Sequence, residues 1–151
     1  MENQQSINRQ LAILRLKNEM LTSEARQMIT EIHQQRDVEI CNVRNEATTK
    51  RMTLKNKRFE IDARQHDFFL KGEQHKSDKL KLQRIEIDKQ LSLIQDQLNL
   101  EIGAIKRKHL DRESNILEMQ RKQANEYKKE NAMLIEKLVE LQQNKQEVEQ
   151  Q

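Results

Sequence analysis

The stretch Lys71-Gly72-Glu73-Gln74-His75-Lys76-Ser77-Asp78 interrupts a 151-residue chain that otherwise reads as continuous helix. Gly72 suits the left-handed residue that ends a helix, and Ser77 or Asp78 could cap the next one. So short a connection makes an αα-hairpin. The spacing predicts a first coiled-coil arm over 1–71, a turn over 72–77 and a second arm over 78–151. A single uninterrupted helix would instead extend ~225 Å at 1.5 Å per residue.

The helical class rests on what is scarce on either side of that stretch. The chain has no proline, no tryptophan, two glycines (Gly72 and Gly103) and four aromatic residues. Strands and tight turns draw on those residue types. Hydrophobic residues make up 34%, below the roughly 45–50% of an ordinary globular domain, so a conventional core cannot be assembled. Disorder is the usual outcome for so polar a chain, but regular apolar spacing argues against it here.

That spacing runs in steps of three and four. The first run is Ile7, Leu11, Leu14, Asn18, Leu21, Ala25, Met28 and Ile32. After a phase slip near Arg36 come Ile40, Val43, Ala47, Lys50, Leu54, Lys57, Ile61, Arg64 and Phe68. Beyond Gly72 the third run is Leu80, Arg84, Ile87, Leu91, Ile94, Leu98, Glu101 and Ile105. The fourth is Leu117, Gln120, Ala124, Tyr127, Asn131, Leu134, Leu138, Leu141, Lys145 and Val148. A seam of this period is the mark of helices packed through a and d positions. The fold class is therefore all-α, an antiparallel two-helix coiled-coil hairpin.

An antiparallel pair about Gln74 requires facing residue numbers to total about 148. Phe68 then meets Leu80, Ile61 meets Ile87, Leu54 meets Ile94, and Val43 meets Ile105. Lys57 and Lys50 meet Leu91 and Leu98, packing their stems while their ammonium groups reach acidic neighbours. Further out, Asn18 falls near Asn131, a polar pair expected to set the register. A parallel dimer would stack Lys50, Lys57 and Arg64 on their own copies. The hairpin leaves one like-charge layer, Arg64 opposite Arg84.

Charge and motifs narrow the function. Twenty-eight basic and 25 acidic residues leave +3, interleaved as on a solvated helix surface. The local excess is Arg44, Lys50, Arg51, Lys55, Lys57 and Arg58 against Glu46, a candidate nucleic-acid contact of salt-dependent, sequence-blind character. A bZIP-like fork needs a basic region continuous with a zipper, whereas acidic residues resume here at Glu60. Cys41 is the single cysteine, so no internal disulfide forms, and the expectation is a reducing, intracellular compartment or a particle assembled there. No signal peptide or membrane span is read.

His33, His66, His75 and His109 lack metal-ligand spacing and read as solvated side chains, although the hairpin brings Cys41 level with about His109. The two glycines are too far apart for a phosphate loop, and a two-helix pair offers no dry pocket in which to tune carboxylates. The expectation is no enzyme, no cofactor, no metal, no small-molecule substrate and no membrane partner. In the heptad frame, Met52, Phe59, Leu82, Ile85, Leu93 and Leu100 fall outside the seam. A second apolar stripe of this kind predicts a protein partner, through self-association or a larger assembly.

In length and equal-armed form the hairpin resembles the coiled-coil stalk proteins of flagellar and type III export ATPases. It equally resembles small helical scaffold or internal proteins of phage particles. These likenesses are of shape alone. They imply either a rod, strut or scaffold in a virion or other multi-protein assembly, or a stalk that couples to an ATPase. A basic nucleic-acid-binding accessory protein is the further alternative.

Overall fold

The computed structural model describes residues 3–150, the side chain of Gln150 excepted. Two helices, α1 (Gln4–Leu70) and α2 (Gln74–Gln150), make up nearly all of it, with no strand among the described residues. They pack against each other as a helical hairpin. Helix α1 opens on Asn3, whose Oδ1 accepts the Ser6 amide at 2.8 Å. This cap satisfies one of the four amides that a helix start leaves without an internal partner.

The turn is shorter than the sequence suggests. Helix α2 begins at Gln74, where 72–77 was expected to be turn, and Ser77 donates its amide to the Glu73 carbonyl at 3.1 Å as part of the helix's first turn. Gly72 ends α1 with φ of +75°. The Glu73 amide reaches back to the Phe68 carbonyl at 2.9 Å and the Gly72 amide to that of Phe69 at 3.1 Å. These two bonds form a Schellman motif, which satisfies the last carbonyls of α1. Ser77, expected as a cap, is instead buried in α2. Beside it, the Lys76 ammonium lies 5.5 Å from the centre of the Phe68 ring, near enough for a cation–π contact.

The chain divides into two compact units. The turn unit, Gln34–His109, has a seam in which Ile40, Ala47, Ile87, Leu98 and His109 are buried. Val43, Leu54, Ile61, Phe68, Leu80, Leu91, Ile94 and Ile105 are half-buried around them. The terminal unit comprises Met1–His33 and Leu110–Gln151. Its buried side chains are Ile7, Ala25 and Ile32, with Leu11, Leu14, Leu21, Ala124, Tyr127, Leu134, Leu138 and Leu141 half-buried.

Several positions assigned to the seam lie outside it. Lys50, Lys57 and Arg64 are exposed, and Arg51, Arg58 and Gln65 are half-buried in their place. Glu101 likewise yields to Ile102, Leu117 to Ile116 and Met28 to Ile29, while Lys145 and Val148 are exposed. The cause is helix geometry. A strict seven-residue repeat drifts about 20° per heptad around a straight helix. Two successive four-residue steps take up that drift, at Val43-Ala47-Arg51 on α1 and at Ile94-Leu98-Ile102 on α2. The two resets lie level with each other, so the contact is kept.

The two glycines should respond oppositely to alanine. A Cβ at Gly72 would meet nothing within 4 Å, so Gly72→Ala carries only the left-handed backbone penalty, about 1–2 kcal/mol. Gly103 is helical, and its added Cβ would meet only the Arg107 guanidinium at 3.6 Å. Gly103→Ala should therefore stabilise by roughly 0.5–1 kcal/mol. Urea melts followed by circular dichroism check both signs.

Candidate functional site: an uncovered apolar face

The turn unit is held in register by polar contacts across its seam. Arg51 Nη1 donates to Gln95 Oε1 at 2.9 Å, Arg58 Nη1 lies 3.3 Å from Asp88 Oδ1, and Arg84 Nε lies 3.3 Å from Asp62 Oδ1. Each of these pairs totals 146. The like-charge layer expected of Arg64 and Arg84 does not form, because Arg64 is exposed and Arg84 pairs with Asp62. Lys50 and Lys57 are exposed, and Lys50 lines a cleft at the edge of the seam with Leu98 and Glu101.

Glu39 anchors the other end of this unit. Its Oε2 lies 3.0 Å from His109 Nε2 and its Oε1 3.2 Å from Lys108 Nζ. The His109 hydrogen bond, followed by that of Lys108, holds the Glu39 carboxyl below its ordinary value. His109 is 1% exposed, which corrects its reading as a solvated side chain. Cys41, level with it by register, is exposed. Among the described residues no three His, Cys, Asp or Glu side chains are grouped to hold a metal ion.

The terminal unit has a counterpart with the partners exchanged between helices, His33 Nε2 lying 3.1 Å from Glu113 Oε2. Asn18 and Asn131 are both half-buried. Asn18 lines a small cleft with Leu14, Leu21, Gln123 and Tyr127. No hydrogen bond joins the two asparagines among the described residues. The histidine–glutamate pairs escaped a reading that followed apolar residues alone. Applying the same constant total to charged side chains would have found them.

The basic cluster is divided by the fold. Arg51 and Arg58 are engaged across the seam, while Arg44, Lys50, Lys55 and Lys57 are exposed. The inner two serve the hairpin itself, and Lys50 lines a cleft at the edge of the seam.

All six residues read as lying outside the seam are on the surface of the turn unit. Phe59 is 78% exposed and Leu100 71%, with Met52, Leu82, Ile85 and Leu93 also exposed. On α2, Ile85, Asp88, Lys89, Ser92 and Leu93 surround a shallow hollow, and Asp88 there is also the partner of Arg58 across the seam. Among the described residues no helix is long and apolar enough to cross a membrane. Comparison with protein-family models, curated proteins and solved structures finds no match to this chain.

The depressed carboxyl of Glu39 fixes the sign of a pH effect. A group whose folded pKa is lowered stabilises fully above its unfolded value, ~4.3 for glutamate. That contribution is lost as pH falls through the folded value. Wild type should therefore lose melting temperature faster than Glu39→Gln as pH drops from about 5 towards 3. Parallel curves would show that the contact with His109 and Lys108 carries no stability.

Proposed function

We infer that this chain is a non-enzymatic assembly protein, a strut or scaffold that acts by packing the uncovered faces of its hairpin against further helices. Those helices belong to other copies or to a larger complex such as a particle. The observation that carries this reading is the distribution of apolar side chains. Among the described residues seven hydrophobic side chains are buried, whereas twenty large ones are exposed. A two-helix seam is too narrow to cover both sides of either helix.

Scattered exposed apolar residues are ordinary on protein surfaces. Met52 and Phe59 one heptad apart on α1, and Leu93 and Leu100 one heptad apart on α2, are ordered rather than scattered. Covering side chains of this size is worth roughly 1.5–3 kcal/mol each, a gain the isolated hairpin forgoes. Charged residues on the rest of the surface keep the chain hydrated until another helix arrives.

Replacing Phe59, Leu93 and Leu100 together with Gln tests the reading. Helicity by circular dichroism should be kept, since none of the three faces the seam. Sedimentation velocity should show the wild-type assembly dissolved into single hairpins. Wild type that is already a monomer at high concentration, with hydrodynamics the triple variant leaves unchanged, would overturn it.

A further inference from the structure

Independently of the assembly reading, we propose that one edge of the turn unit binds single-stranded nucleic acid, its phosphates on Arg44, Arg51, Lys55, Lys81 and Lys106 and a base on Phe59. The edge is the one where Arg51 meets Gln95, Arg58 meets Asp88 and Asp62 meets Arg84. A step of seven residues returns to nearly the same side of a helix. Arg44 lies seven before Arg51, Lys55 seven before Asp62 and Lys81 seven before Asp88. Lys106 is eleven residues, or three full turns, after Gln95. The hairpin thus adds Lys81 and Lys106 of α2 to the basic cluster of α1, and it sends Lys50 and Lys57 to the opposite edge.

The positive charge on this edge is uncompensated. Its acids are already engaged, Asp37 lying 3.1 Å from Arg36, Asp62 3.3 Å from Arg84 and Asp88 3.3 Å from Arg58. Arg51 donates to neutral oxygens, those of Gln95 and Thr48. Arg44, Lys55, Lys81 and Lys106 are exposed and have no ion pair among the described residues. The opposite edge is balanced. There Lys50 shares a cleft with Glu46 and Glu101, Lys108 and Lys76 are bound to Glu39 and Glu73, and Lys57, Arg64 and Lys79 stand among Glu60 and Glu86. Further round α2, Asp78 and Asp96 are matched by Lys89 and Arg107.

With facing residues totalling 146, these cations run from the level of residue 40, opposite Lys106, to that of residue 65, opposite Lys81. That is a straight track of about 38 Å at 1.5 Å per residue. Cations in a line attract a phosphate backbone of any sequence. Thr48, Ser92 and Asn99, exposed on the same edge, are neutral donors of the kind that bond phosphate oxygens. Phe59 selects a single strand. It stands four residues after Lys55 and is the most exposed large apolar side chain among the described residues. His66, seven residues on, is a second exposed ring. Unpaired bases stack on such rings beside a cationic track, whereas a duplex keeps its base faces inside. A partner helix would instead need apolar positions in steps of three and four, and between α1 and α2 this edge is polar.

Fluorescence anisotropy on the full chain tests this with a labelled oligouridylate and a labelled duplex of equal length. The logarithm of the oligouridylate affinity should fall with that of salt at a slope of about −3 to −3.5, as for four or five phosphates neutralised. Lys55→Gln, Lys81→Gln and Lys106→Gln together should weaken binding at least about tenfold. Lys50→Gln, Lys57→Gln and Lys79→Gln, an equal change of charge on the opposite edge, should cost no more than about twofold. Equal losses would overturn this edge as the site. Arginine at positions 55, 81 and 106 should bind as wild type does, and loss there would overturn charge as the cause. Phe59→Leu keeps apolar bulk for packing but removes the ring, so it should weaken the oligouridylate at least about fivefold and leave the duplex unchanged. An unchanged oligouridylate affinity, or tighter binding of the duplex, would overturn the single strand as ligand. Polyglutamate bound more tightly than the oligouridylate would make an acidic protein the occupant, and no binding at low salt would end the proposal. Sedimentation velocity keeps the assembly reading apart, because neither lysine set touches Phe59, Leu93 or Leu100 and both should assemble as wild type does.

Discussion

Gly72 reverses the chain with φ of +75°, and the two carbonyls that its turn satisfies, those of Phe68 and Phe69, fix where α1 stops and α2 starts. In an antiparallel pair the position of the turn sets the total of every facing pair of residue numbers. One left-handed residue thus decides that Arg58 reaches Asp88, that Asp62 reaches Arg84 and that Glu39 reaches His109. A one-residue change in the turn would move each partner about 100° around its helix and break them all.

Within that register the apolar residues alone do not make the seam continuous. Each helix must absorb the mismatch between 3.6 residues per turn and a seven-residue repeat. In the turn unit both helices do so at the same level, by a double four-residue step. Arg51 and Arg58 enter the seam because that step carries them there. A guanidinium can donate across the contact while its stem packs against apolar neighbours, so arginine is tolerated where lysine had been expected.

The consequence for function is a hairpin that leaves ordered apolar side chains on the surface of its turn unit. Met52 and Phe59 on α1 and Leu93 and Leu100 on α2 stand exposed beside charged residues of both signs. An ion pair at a solvated rim contributes little stability, but like charges set against each other discriminate strongly between partners. Apolar burial would supply the affinity of such a surface, and its charges would supply the choice of face.

Composition and period were enough to determine that the chain is helical and folds back on itself, because absent prolines and a 3-4 apolar spacing depend only on local geometry. The same spacing marked Met52, Phe59, Leu82, Ile85, Leu93 and Leu100 as lying outside the seam, since any residue far from the apolar stripe must face outward. Tertiary structure decided which polar residues stand between the helices. Asn18 and Asn131 are half-buried without joining, whereas His33 and His109 find glutamates on the opposite helix. A side chain's partner across an antiparallel pair depends on the turn and on every later step of the seam. Small local choices there, such as Arg51 over Lys50 or Ile102 over Glu101, accumulate over many turns of helix, and only the packed pair settles them.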